Sequence, residues 1–222
     1  MQSHVQNSTA SDAEQTYFDM FSLPRKLTID TTALERDFYK LSRQLHPDLY
    51  ARKSAEEQAW SLRQSSLLND AYRTLKDPVA RTAYLLKLEG IRMEDENTEN
   101  QDRRAKQNRV PADLLEEVFE LNMQLEEMRA NLKMGEDDPA LRGDLERAQV
   151  QFKAMLASVD EDLGRAWAAW DAAMDANDDA ARGKQKDAMV VMLDRRSYLR
   201  NLLREVDGVL TSQGAVGEKA NI

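Results

Sequence analysis

The stretch DTTALERDFYKLSRQLHPD, residues 30–48, carries a helix and the end of that helix in one reading. Leu34, Phe38, Leu41 and Leu45 recur at i, i+4, i+7 and i+11. At about 100° per residue they fall within about 60° of one another, an apolar stripe expected to be buried. Arg36, Lys40 and Arg43 lie roughly 200° round from that stripe. Thr32 and Glu35 have the T-x-x-E spacing of a capping box, which predicts a helix from there through Leu45. Pro47 disfavours helix at His46, so His46-Pro47-Asp48 is expected as a loop. That loop presents an imidazole and a carboxylate beside a helix with an apolar back and a basic front.

Reading outward, Ser54 and Glu57 form a second capping box, opening a helix that can run to Lys76. Its apolar face is clear in the latter half (Leu68, Ala71, Tyr72, Leu75) and thin earlier, where Gln64 and Ser65 occupy the same side. Asp77-Pro78 stops this helix, and Pro78 suits the first turn of the next with Asp77 as its cap. Arg81, Tyr84, Leu85 and Leu88 carry that helix, and Gly90 closes it. Upstream, Tyr17 to Phe21 is a short helical turn ending near Pro24.

Composition agrees with long helices: 222 residues contain only 8 Gly and 5 Pro, too few turn-formers for a sheet of many short strands. The absence of cysteine excludes a disulfide framework, a thiol nucleophile and a Cys-based zinc or iron–sulfur site. With only two histidines, His4 and His46, no metal site and no cofactor is expected. No window reaches the ~18 consecutive apolar residues of a membrane span. Residues 1–16 lack the basic start and apolar stretch of a signal peptide and read as a polar tail. The expectation is a cytoplasmic protein that binds neither membrane nor nucleic acid. The chain's net charge of −9 opposes phosphate binding, which depends on clustered Lys and Arg.

Charge also divides the chain. Residues 17–91 carry 12 basic and 10 acidic side chains, whereas residues 111–212 carry 13 and 22. Between them, MEDENTENQDRRAKQNR (93–109) is almost without apolar side chains and reads as a solvated linker. The boundaries are therefore a tail at 1–16, a compact unit at 17–91, a linker at 92–110, a helical bundle at 111–212 and a second tail at 213–222.

In the acidic half, Leu114, Val118, Leu121, Leu125, Met128 and Leu132 alternate in steps of four and three, a seam about 80° wide that faces other helices. Leu115, Phe119 and Met123 form a second stripe about 140° from it, with Glu116, Glu120 and Glu127 alongside. Two readings stand for this second stripe: a structural one, in which it contacts the N-terminal unit or widens the core, and a docking surface with an acidic border. Asp138-Pro139 starts another helix, lined by Leu141, Leu145, Ala148, Phe152, Met155, Val159, Leu163 and Trp170. Asn177 begins the connection to a last helix with Met192, Leu199, Leu202, Val206 and Leu210 inward. Trp167, Trp170 and Met174 sit at helical spacing and read as core, not as a ligand pocket.

Four stretches carry a resemblance: YFDMFSLP (17–24), DTTALERDFYKLSRQLHPD (30–48), LLNDAYRTLKDP (67–78) and ARTAYLLKLEG (80–90). Residues 17–91 resemble a J-domain, and the Y-F-x-x-F-x-L-P opening and Y-L-L-x-L-x-G ending resemble the HscB family of iron–sulfur assembly co-chaperones. The part from PADLLEEVFELNMQLEEM onward resembles that family's second domain. The resemblance implies an all-α chain, a J-domain helical hairpin with flanking helices followed by a three-helix bundle. It implies a co-chaperone rather than an enzyme, stimulating ATP hydrolysis by an HscA- or DnaK-type 70-kDa chaperone and delivering the scaffold protein IscU to it.

The same resemblance assigns chaperone binding to Arg36, Lys40, Arg43, His46, Pro47 and Asp48. It assigns client binding to Leu115, Phe119, Glu120, Met123 and Glu127, with Tyr198 on the last helix. Met123 stands where the family usually carries an acidic residue. The alternative is a general J-domain co-chaperone with other protein clients. An enzyme is the remaining class, but no carboxylate pair has a distinctive setting and no glycine-rich phosphate loop is present.

Overall fold

A computed structural model describes residues 15–91, 110–136 and 138–212. Most of the expected linker and of both tails lies outside the described residues. Every regular element among the described residues is helical, and none is long and apolar enough to cross a membrane. The chain divides into two compact units, one running to Leu85 and one from Leu86 onward.

The first unit contains α1 (Tyr17–Met20), α2 (Thr31–Leu45), α3 (Pro47–Tyr50), α4 (Ala55–Lys76) and most of α5 (Pro78–Leu88). Helices α2 and α4 run antiparallel: the N-terminal Glu35 of α2 meets Tyr72 and Lys76 late in α4, and the C-terminal Leu45 meets Ser61 early in it. Phe18, Phe21, Leu27, Leu34, Leu68, Ala71, Leu75 and Leu85 form the core. Of the α2 stripe, Leu34 is buried and Phe38, Leu41 and Leu45 are half-buried, with Phe38 stacked on Tyr72 at 4.2 Å.

The start of α2 differs from the expected capping box. Asp30 is the cap, its carboxylate accepting from the Thr32 and Ala33 amides at 2.9 and 3.0 Å. A carboxylate answers the partial positive charge of a helix N-terminus better than a hydroxyl does. Glu35 is thereby released to accept from the Tyr72 hydroxyl at 3.1 Å, with the Lys76 ammonium at 3.6 Å. The Ser54–Glu57 box forms as read, with both reciprocal bonds present. Asp77 caps α5 through the Ala80 amide at 2.7 Å. Gly90, at φ 84°, closes that helix in the left-handed conformation that suits glycine.

The second unit contains a 3-10 turn (Ala112–Leu114), α6 (Leu115–Met134), α7 (Pro139–Asp175) and α8 (Asp179–Ser212). Asp138 caps α7 with Pro139 at its first position, and Asn177, at φ 52°, turns the chain into α8. At ~1.5 Å per residue α6 is about 30 Å long and α7 about 55 Å, so α6 spans only part of the α7–α8 hairpin. On α7 the buried set is Leu141, Leu145, Phe152, Val159, Leu163, Ala166, Trp170 and Ala173. Ala148, Met155, Trp167 and Met174 are half-buried. On α8 the inward face is Met189, Leu193, Leu199, Leu202, Leu203, Val206 and Val209. Met192 and Leu210, expected inward, are half-buried beside it. Hydropathy alone places a helix face to within about one residue, and the neighbouring helix selects between adjacent apolar positions.

Candidate functional site

His46-Pro47-Asp48 is a helix start rather than an open loop. His46 has φ −61° and ψ 130°, ending α2 and capping α3, with Pro47 in the first turn. Its Nδ1 accepts from the Asp48 amide at 3.3 Å and lies 3.5 Å from the Asp48 carboxylate. The amide bond uses the Nδ1 lone pair, which leaves Nε2–H as the proton-bearing edge of the neutral ring. Both side chains are open to solvent, at 54% for His46 and 89% for Asp48. Pro47 is half-buried behind them.

Arg36, Lys40 and Arg43 are all exposed on α2. Among the described residues none of the three has an ion-pair or hydrogen-bond partner, unlike Lys76, which is engaged by Tyr72 and Glu35. Unpaired cations on one helix face form a surface suited to an acidic partner. The turn and the cations belong to the same unit, joined at Leu45.

In the second unit the two stripes of α6 separate cleanly. Leu114, Val118, Leu121, Leu125 and Met128 are buried and Leu132 is half-buried. Leu115, Phe119 and Met123 are 55%, 68% and 60% exposed. Glu116, Glu120 and Glu127 are exposed beside them, and Glu120 accepts from Gln124 Nε2 at 3.2 Å. Thus the second stripe does not widen this unit's core. Tyr198 is half-buried on α8, and its hydroxyl pKa is raised, by burial first and then by Glu205. Ion pairs Arg195–Asp113 (2.7 Å) and Arg129–Glu205 (3.5 Å) bracket it, so it stands on the length of α8 that runs beside α6. Its ring pairs with no aromatic ring among the described residues.

The DnaJ domain family model matches residues 16–84. The chaperone HscB from Vibrio cholerae is 25% identical, with 89% of this chain and 98% of that chain covered at a TM-score of 0.56. The human co-chaperone HscB is likewise 25% identical, with 89% and 83% covered at a TM-score of 0.56. Residues 16–84 form a DnaJ domain, and the chain is a J-domain co-chaperone of the HscB type. The first unit of this HscB-type co-chaperone is its J-domain, and the similarity to the two HscB structures extends over the second unit as well.

Sequence reasoning missed one group in this co-chaperone. Gln58, Ser61 and Ser65 continue, toward the N-terminus of α4, the 3–4 alternation of Leu68, Tyr72 and Leu75. This polar half of the seam meets backbone carbonyls. Ser61 Oγ donates to the Leu45 carbonyl at 2.7 Å, Ser65 Oγ to the same oxygen at 2.9 Å, and Gln58 Nε2 to the Lys53 carbonyl at 2.9 Å. The available signal was the unbroken spacing through hydroxyl residues.

Proposed function

We propose that this co-chaperone stimulates ATP hydrolysis by an HscA- or DnaK-type 70-kDa chaperone and delivers the iron–sulfur scaffold protein IscU to it, in the cytoplasm. Arg36, Lys40 and Arg43 dock on an acidic chaperone surface, and the His46-Pro47-Asp48 turn favours the hydrolysis-competent state. The chain performs no covalent chemistry. It acts by differential binding, and each ~1.4 kcal/mol of preference changes a rate or equilibrium tenfold. Leu115, Phe119 and Met123 anchor the client, Glu120 and Glu127 answer its basic side chains, and Tyr198 contributes from α8.

The observation that carries the client assignment is the exposure of Leu115, Phe119 and Met123 on a helix whose opposite seam is closed. Three large apolar side chains at successive turns are costly to leave in water and are the usual anchors of a protein interface. Co-purification from cell extract tests the reading. Recovery of IscU and a DnaK-type chaperone supports it, whereas a mixture of unfolded proteins without IscU points to a general J-domain co-chaperone. ATPase assays with purified chaperone then test stimulation by the chain alone and with IscU.

A further inference from the structure

We propose that Ser61 and Ser65 are positioning residues for the His46-Pro47-Asp48 turn. The inference rests on the reading that this turn acts on the chaperone's ATPase. The carbonyls of a helix's last turn lack intrahelical partners, and Leu45 is the last residue of α2. The following amides do not serve its oxygen. Pro47 has no N–H, the Asp48 amide bonds His46 Nδ1, and the Leu49 amide bonds the His46 carbonyl at 3.0 Å. The two hydroxyls from α4 therefore take the place of a backbone donor at that oxygen.

The carbonyl they hold belongs to the peptide unit that leads into His46. Because that unit is planar, fixing its oxygen fixes the His46 nitrogen and restricts where His46 Cα can lie. Ser61 is completely buried, which gives its hydroxyl a constant direction. Gln58 grips the far side of α3 through the Lys53 carbonyl. The one-turn helix that His46 caps and Asp48 belongs to is thus tied to α4 through the chain on either side of it, although no residue of α3 is itself buried. A leucine at position 61 or 65 would extend the apolar seam, but it would leave the Leu45 oxygen without these donors and the turn free to pivot.

The test uses the full chain with a purified DnaK-type chaperone, titrated to give maximal ATPase stimulation and half-saturating concentration separately. The double variant Ser61→Ala/Ser65→Ala should lose about five- to tenfold in maximal stimulation, the effect of two modest hydrogen bonds. Its half-saturating concentration should stay within about twofold, because the α2 cations are untouched. Hydrogen exchange should quicken at the Asp48 and Leu49 amides while Ala71 and Leu75 keep their protection. Ser65→Thr, which retains the hydroxyl, should stimulate as the original chain does.

A folded double variant with normal maximal stimulation overturns the proposal. So does exchange that quickens equally throughout the core, or a Ser65→Thr variant as impaired as Ser65→Ala. If the double variant does not fold, Ser65→Ala against Ser65→Thr decides by the same readouts. A His46→Gln variant that stimulates normally would overturn both this inference and the functional reading beneath it. Inactive His46→Gln beside a fully active double alanine variant would overturn the serine assignment alone.

Discussion

Replacing Leu115, Phe119 and Met123 together by Ala distinguishes a docking stripe from a core. Were these side chains core, Leu→Ala and Met→Ala would each cost about 2–5 kcal/mol and Phe→Ala about 3–5. The sum, about 7–15 kcal/mol, is as large as the whole stability of a typical domain, and the variant would unfold. Their exposures of 55%, 68% and 60% change the arithmetic. Full burial of such a side chain contributes about 1.5–3 kcal/mol, so less than half burial leaves about 0.5–1 each. Alanine's better helix propensity returns a few tenths of a kcal/mol per site, up to about 0.5. The net loss is about 1–2 kcal/mol, a fall of about 2–8 °C in melting temperature for a chain of this size.

Binding should respond far more. Two of the three acting as interface anchors at about 2 kcal/mol each would weaken IscU affinity by about 1000-fold. Stimulation of the chaperone ATPase by the variant alone should persist, and only its enhancement by IscU should disappear. A thermal melt beside a calorimetric titration checks both parts. Collapse of the fold would show that the exposed stripe is structural, and unchanged IscU affinity would show that the client binds elsewhere.

Three further outcomes are expected. His46→Gln and Asp48→Asn should each leave the melting temperature nearly unchanged, since both side chains face solvent, while abolishing ATPase stimulation; a folded, fully active variant refutes the role of the turn. Lys40→Glu should weaken chaperone binding and flatten its decline between low and physiological salt, where the Debye length shortens to ~8 Å; an unaltered salt profile would reduce the basic face to ordinary surface. The Glu57 carboxyl is held below its ordinary pKa by bonds from the Ser54 amide and then its hydroxyl. A depressed carboxyl pKa stabilises the fold at pH values above the unfolded-state value, and this stabilisation is lost as pH falls through the folded value. Ser54→Ala should therefore lower the melting temperature at pH 6 by about 2–4 °C, with the difference narrowing toward pH 3; a difference independent of pH would disprove the coupling.

Period and punctuation determined much of this protein in one dimension. The steps of three and four in residues 114–132, the Ser54–Glu57 box, Asp77-Pro78 and Asp138-Pro139 are local signals, because helix geometry and capping involve residues no more than about four apart. For the same reason the angle between the two α6 stripes was legible, and with it the separation of Leu115, Phe119 and Met123 from the seam. That separation left open whether the rest of the same unit covers them, and the packing of that unit, which leaves all three exposed, decided it.

Tertiary structure decided matters in which the partner is distant in sequence. Whether Asp30 or Thr32 caps α2 depended on where Glu35 could go, and it goes to Tyr72 and Lys76. Which adjacent apolar residues of α8 face inward depended on α7. The value of a serine at a seam position depended on the group opposite. Hydropathy scores Ser61 and Ser65 as gaps in an apolar face, because it has no knowledge of the Leu45 carbonyl, 16 and 20 residues away. Once the hairpin closes, that carbonyl lies within hydrogen-bonding distance, and the apparent gap becomes the place where the His46-Pro47-Asp48 turn is tied to the rest of its unit.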